Sequence, residues 1–277
     1  MTAVILATAC AVVYGTADFF GGLATRRSRV LAVVGLSQLA GLALILSLLP
    51  ALPGVFQAPS VLWGFAAGLS GAAGLVLFYR SLATGVMSVV APTTAVTSAA
   101  LPVGFGLLQG ERPEPVALLG VALGLGAVLL ISQDHSPDGK GSKSAVLTAL
   151  AAGSGFGGFF ILLAMASPEA GLWPLAGARI SSISLVLLLA LATRRALRPA
   201  SGSLAVIVAA GVLDMTANVL YLLAQQKGML SLVAVLVSLY PASTLLLARQ
   251  VLGERLRAIQ LAGVACALGA VALIAAS

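Results

Sequence analysis

Three charged side chains stand well inside long apolar stretches of this chain: Asp18, Arg179 and Asp214. A charge at the centre of a bilayer costs about 3 kcal/mol or more unless it pairs or faces water, so each is a candidate for chemistry that uses charge. Asp214 lies eleven residues from Ser203 and twelve from Gln226, midway along its stretch. Arg179 lies seven residues into its own stretch, about 10 Å deep at the helical rise of about 1.5 Å per residue, and its side chain is long enough to meet a neighbouring carboxylate. Two chemistries are open to this pair. Facing a partly dry cavity, Asp214 could exchange a proton during a working cycle; held by Arg179, it would be a static tie between two helices. Asp18, within Tyr14-Gly-Thr-Ala-Asp18-Phe-Phe-Gly-Gly22, is either a gate residue or an interfacial cap.

Neutral polar groups could complete a cavity around these charges. One stretch offers Thr93, Thr94, Thr97 and Ser98 and another Ser238, Tyr240 and Ser243, close to Pro92, Pro102 and Pro241, whose missing N–H groups free backbone carbonyls for a ligand. Tyr14, Gln38, Tyr79, Asn218 and Tyr221 could add contacts. Ser and Thr in membrane helices commonly bond their own backbone or a neighbouring helix instead. Bond-breaking chemistry would need a nucleophile with its base, paired carboxylates or a metal cluster. The apolar stretches hold no His, and Asp18 and Asp214 sit at different levels, so no catalytic set is expected. No Gly-rich phosphate loop ends in Lys-Ser or Lys-Thr, which leaves no ATP site. Neither a cofactor nor a metal is expected: His135, the only histidine, lies in a polar stretch, and Cys10 and Cys266 lie in apolar runs without CxxC spacing.

The elements that position these residues follow from composition. Of 277 residues, 60% are hydrophobic and 8% charged, with a mean hydropathy of +1.11, against about 25% charged in soluble domains. Long apolar runs without alternation predict an all-α integral membrane protein rather than a barrel. Breaks at Pro, Gly and charge clusters give ten spanning stretches, at 2–22, 31–49, 61–83, 86–109, 114–132, 144–165, 172–193, 203–226, 229–249 and 257–276. The first lacks a basic region before it and is expected to remain as a spanning helix rather than be cleaved as a signal. The net charge of +7 comes from Lys and Arg clustered between apolar runs, as membrane flanks are, so nucleic acid is not an expected partner. Trp63 and Trp173, near helix starts, suit the aromatic belts.

The chain also repeats itself. Gly85, Ser88, Ala91, Gly110, Glu111, Arg112 and Gly120 recur 143 residues on as Gly228, Ser231, Ala234, Gly253, Glu254, Arg255 and Gly263, while Thr8, Gly15, Phe19 and Phe20 recur 140 residues on as Thr148, Gly155, Phe159 and Phe160. Residues 1–132 and 144–277 are therefore expected to form two related five-helix bundles joined by the polar linker 133–143. An odd number of spans per repeat gives inverted topology. At the positions aligned with Arg179 and Asp214 stand Ser37 and Gly71, so the scaffold itself does not demand these charges. Loops after the odd-numbered stretches hold twelve Lys and Arg, against Arg112 and Lys227 on the other side. The positive-inside rule then places the basic side in the cytoplasm and both termini outside.

With ten spans in two repeats and the paired segments Gly110 to Arg112 and Gly253 to Arg255, the chain resembles the EamA-like family of the drug/metabolite transporter superfamily. In that family a Gly-Glu-Arg-like turn precedes a Gly-rich last helix in each half, as Leu118 to Ile131 and Leu261 to Ile274 do here. At these turns Gly suits a helix end and the charges an interfacial anchor. The resemblance implies a secondary active transporter, an exporter of small metabolites such as amino acids, working by alternating access around a central cavity with proton coupling. A lipid flippase and an intramembrane enzyme are the alternatives. The partners expected are a small-molecule substrate, membrane lipid and protons, for a monomer or weak homo-oligomer in the bacterial inner (plasma) membrane.

Overall fold

Each long apolar stretch is helical in the computed structural model, because a backbone N–H or C=O in hydrocarbon is best satisfied within its own segment. The structure describes residues 1–84, 87–132, 143–194, 197–252 and 257–277, with the helical positions 79–84, 87–92, 132, 143 and 145 described by backbone alone. The helices are α1 (Thr2–Thr25), α2 (Val30–Leu48), α3 (Ala58–Thr84), α4 (Met87–Leu108), α5 (Pro115–Ser132) and α6 (Lys143–Ala164), followed by α7 (Trp173–Ala192), α8 (Leu204–Gln225), α9 (Leu230–Ser238), α10 (Tyr240–Leu252) and α11 (Ala258–Ala275). Among the described residues there is no strand, and eight helical stretches are long and apolar enough to cross a membrane. The shorter apolar runs Thr93–Leu108 and Pro115–Ile131, within α4 and α5, bring the total to the ten spans expected.

Two departures have local causes. The ninth stretch is broken at Leu239, because Pro241 has no N–H to continue the ladder and starts a new helix with Tyr240 instead. By contrast α4 runs unbroken through Pro92 and Pro102, so the two repeats carry different backbones at the same station. The first helix continues to Thr25, three residues beyond the expected end. Helix α4 ends at Gly110, whose φ of +90° permits Glu111 N–H to reach back to Gly106 O at 3.0 Å and close the helix end.

The expectation of one bundle per repeat is corrected by the packing. Helix α3 packs on α6 and α7, and α4 on α6, whereas α8 packs on α1 and α2, and α1 on α9 and α10. Two bundles result, one of α3, α4, α6 and α7 and the other of α1, α2, α8, α9 and α10, and each mixes helices from both repeats. Helices α5 and α11 pack extensively on one another. Exchanging α1 with α6, α2 with α7, α3 with α8, α4 with α9 and α10, and α5 with α11 maps these pairings onto themselves. The reason is physical: lipid tails are as apolar as the helices, so close backbone approach at small residues decides the partners. Gly15 of α1 lies directly on the Tyr240 carbonyl of α10, and Gly211 of α8 on the Ser37 carbonyl of α2. Leu119, Leu191 and Leu268 are exposed on the outside, the arrangement expected where lipid is the solvent.

Candidate functional site

Between the two mixed bundles lies a cavity of about 1130 Å³. Its deep wall brings together Tyr14 and Asp18 of α1, Gln38 of α2, Thr94 and Ser98 of α4, Arg179 of α7, Asp214 and Asn218 of α8 and Tyr240 of α10. Every one of these was a candidate on sequence grounds, and they come from six helices. Tyr221, Thr97 and Ser238 do not line the cavity. Tyr221 is fully buried, donating to Phe160 O at 2.9 Å. Thr97 and Ser238 donate to Thr93 O and Val235 O, each at 2.7 Å, the self-bonding common for hydroxyls in membrane helices. The Tyr79 side chain lies outside the described residues, as do His135 and the second Gly-Glu-Arg segment, Gly253 to Arg255.

Arg179 and Asp214 form an ion pair, with side-chain exposures of 10% and 33%. Arg179 also donates to Gln38 Oε1, which accepts from Ser182 Oγ at 2.9 Å. On the far side, Asn218 Nδ2 donates to Asp214 O at 2.8 Å, and Asn218 Oδ1 accepts from Tyr14 OH at 2.8 Å. The chain of bonds therefore runs from Ser182 through Gln38, Arg179, Asp214 and Asn218 to Tyr14. Arg179 and Ser182 belong to one mixed bundle and the other four residues to its partner. Helices α7 and α8 each pack extensively on α2, so the ion pair is a tie between bundles and more than a lock on two adjacent helices.

Asp18 stands differently. It is seven residues from the end of α1 at Thr25, about 10 Å in at the helical rise of about 1.5 Å per residue, which removes the reading of it as an interfacial cap. Its side chain is exposed into the cavity, and among the described residues no hydrogen bond or ion pair to it is found. Tyr14, one turn earlier on the same face, lies beside Tyr240 with ring centroids 6.2 Å apart.

The cavity has a direction. Its lining continues along the C-terminal parts of α1, α3, α7 and α10 and the N-terminal parts of α2 and α11, reaching Thr25, Val30, Leu189, Ala248 and Arg257. These ends carry the basic loops. At the opposite end the loop before α3 is tied to the turn between α6 and α7, within the bundle of α3, α4, α6 and α7: Val55 N–H donates to Glu169 O at 2.8 Å, Ser167 N–H to Ser60 Oγ at 3.1 Å and Gln57 Nε2 to Glu169 Oε2 at 3.3 Å. Phe56 meets Trp173 edge to face at 5.0 Å, so this tryptophan belongs to the same tie. Glu111 closes this end between the bundles, accepting from Leu230 N–H at 2.6 Å and Ser231 N–H at 3.0 Å and so capping α9. The first Gly-Glu-Arg turn thus joins the two bundles as well as ending α4. On the basic side the counterpart loops meet through Ala200 N–H and Ser28 Oγ at 2.9 Å.

Residues 143–276, the whole second repeat from α6 to α11, match the model of the EamA-like transporter family. The chain is EamA-like through that half. That family is one of membrane transporters of small molecules, and the match with the apolar helices makes this chain an integral membrane protein. No curated protein matches it. A solved crystal structure of another protein is similar over 98% of this chain and 94% of its own, with a TM-score of 0.83 and 16% identity, a likeness of fold alone.

Sequence reasoning missed Ser182 and the aromatic wall of Phe156 and Phe159. Ser182 had a usable signal, since it follows Arg179 by three residues and shares its helix face. The phenylalanines had none, being indistinguishable from lipid-facing residues until the packing is known.

Proposed function

We propose that this chain is a secondary active transporter that carries a small metabolite outward by alternating access, with residues 1–132 and 144–277 as inverted repeats. The observation that carries the reading is the cavity: it lies between two bundles, holds charge at mid-depth and opens only toward the end with the basic loops among the described residues. By the positive-inside rule that end faces the cytoplasm, so the cavity is poised to load a cytoplasmic substrate. The units that rock are the mixed bundles rather than the sequence halves. Opening the far end requires the contacts of Glu111 with the start of α9 to part, and the Ser182-to-Tyr14 chain to stretch at Arg179.

Asp214 is the coupling group in this scheme. A proton delivered to its carboxylate removes the charge that Arg179 pairs with, freeing one bundle from the other; loss of the proton restores the tie. The test is flux in proteoliposomes, with candidate metabolites loaded inside and a pH gradient imposed. Substrate-dependent proton movement in the wild type, lost in Asp214→Asn protein that remains folded in the membrane, supports the scheme. Unchanged coupling in Asp214→Asn rejects Asp214 as the proton site, and lipid scrambling without metabolite flux would make the protein a flippase.

A further inference from the structure

The cavity holds three mid-depth charges, and they are not equivalent. The Arg179 guanidinium is engaged by Asp214 on one side and by Gln38 on the other. It is therefore committed to the protein's own carboxylate, and a substrate carboxylate would have to displace Asp214 to reach it. Asp18 is the reverse case, a carboxylate exposed into the cavity, about 10 Å from the helix end, with no partner among the described residues. Aromatic rings share its part of the wall: Tyr14 lies one turn before it on the same face, and the Tyr240 ring is paired with that of Tyr14.

We propose that Asp18 is the substrate-recognising charge of this cavity and that the substrate is a monovalent organic cation, an amine or quaternary ammonium with an apolar body. An acidic side chain beside tyrosine faces is the surface that such a head group recognises, through direct charge attraction and through the ring quadrupoles. The apolar body has Phe156 and Phe159 to lie against. Arg257 at the mouth stands in water, where salt screens its charge, so it does not turn the site into an anion trap. A carboxylate-bearing substrate gains nothing from Asp18, and a zwitterion meets one favourable and one unpaired end.

The inference rests on the reading of this cavity as the substrate site, and binding is measured apart from transport so that the two can fail separately. Purified full-length protein in lipid nanodiscs is titrated with phenyltrimethylammonium and phenethylammonium, and then with phenylacetate and phenylalanine as competitors of like shape. The cations bind the wild type and the acids do not displace them. Asp18→Asn weakens cation binding roughly tenfold or more, while Asp18→Glu retains it, with melting temperatures unchanged because Asp18 holds nothing in place. Binding in Asp18→Asn equal to wild type, displacement by phenylacetate, or no binding of either cation overturns the proposal. Cation binding without flux in proteoliposomes upholds it and sinks the transport reading instead.

Discussion

Replacing Arg179 by methionine, Asp214 by leucine, and then both, separates what the ion pair does for folding from what it does for transport. Breaking a fully buried pair by removing one partner costs about 3–5 kcal/mol, because the other charge is left dry. Here the two orphans differ: Arg179 is 10% exposed and Asp214 33%, the latter toward cavity water. The carboxylate left by Arg179→Met keeps part of its hydration, so a loss of about 2 kcal/mol is expected after that discount. The guanidinium left by Asp214→Leu is drier and costs more, about 3 kcal/mol, with Gln38 Oε1 its one remaining partner in the network. In the double variant neither charge remains, and the loss should fall to about 1 kcal/mol, the cost of idle hydrogen-bond partners at Gln38 and Asn218. The coupling energy then reaches several kcal/mol, far outside the roughly 0.5 kcal/mol within which independent sites add. Reversible unfolding in mixed micelles gives the stabilities, and proteoliposome flux is read on the same preparations. The double variant should be folded yet uncoupled. Additive losses, or a double variant that still couples flux to protons, would refute the argument.

Three further outcomes follow from the packing. Glu111→Ala removes two charge-assisted bonds to the start of α9 and should cost about 2 kcal/mol, read by unfolding in micelles; an unchanged midpoint would mean that water caps α9 equally well. Gly15→Val places side-chain carbon onto the Tyr240 carbonyl, forcing α1 off α10 at a cost of about 1–3 kcal/mol, and a variant as stable as wild type would show that the helices can part there freely. Cysteines at positions 111 and 230, which the hydrogen bond from Leu230 N–H to Glu111 brings together across the two bundles, should stop flux when oxidised and restore it when reduced. Flux that persists in the crosslinked protein would show that this end never opens.

Much of this arrangement was legible in the residues themselves. Charges in apolar runs are costly enough to be kept only for cause, and all three proved to line one cavity. The apolar spans could be read because lipid enforces length and apolarity. Gln38, Asn218 and Tyr14 were found as polar groups without their order, since the chain of bonds joining them to Arg179 depends on which helices touch. Hydroxyls were the least legible: Thr94 and Thr97 differ by one helical turn, yet Thr94 lines the cavity and bonds Ala149 O at 3.2 Å, whereas Thr97 returns to its own helix. The broken ninth span was foreshadowed by Pro241, but Pro102 left α4 intact, so proline alone does not locate a break.

Chain order misled in one respect, and the reason bears on mechanism. Five consecutive helices suggest a unit because soluble proteins pack neighbours in sequence, whereas in lipid no hydrophobic force ties a helix to its neighbour in the chain. The two bundles are assembled by exchange, so each connection that passes between them, such as the loop from α2 to α3, must flex when the bundles move. That loop carries Val55, Phe56 and Gln57, whose contacts with Glu169 and Trp173 hold its last residues to the bundle of α3, α6 and α7. The part of the loop left to bend is thus the stretch before Val55. Any motion which opens the far end acts first on the bonds of Glu111 with the start of α9, which join the two bundles there.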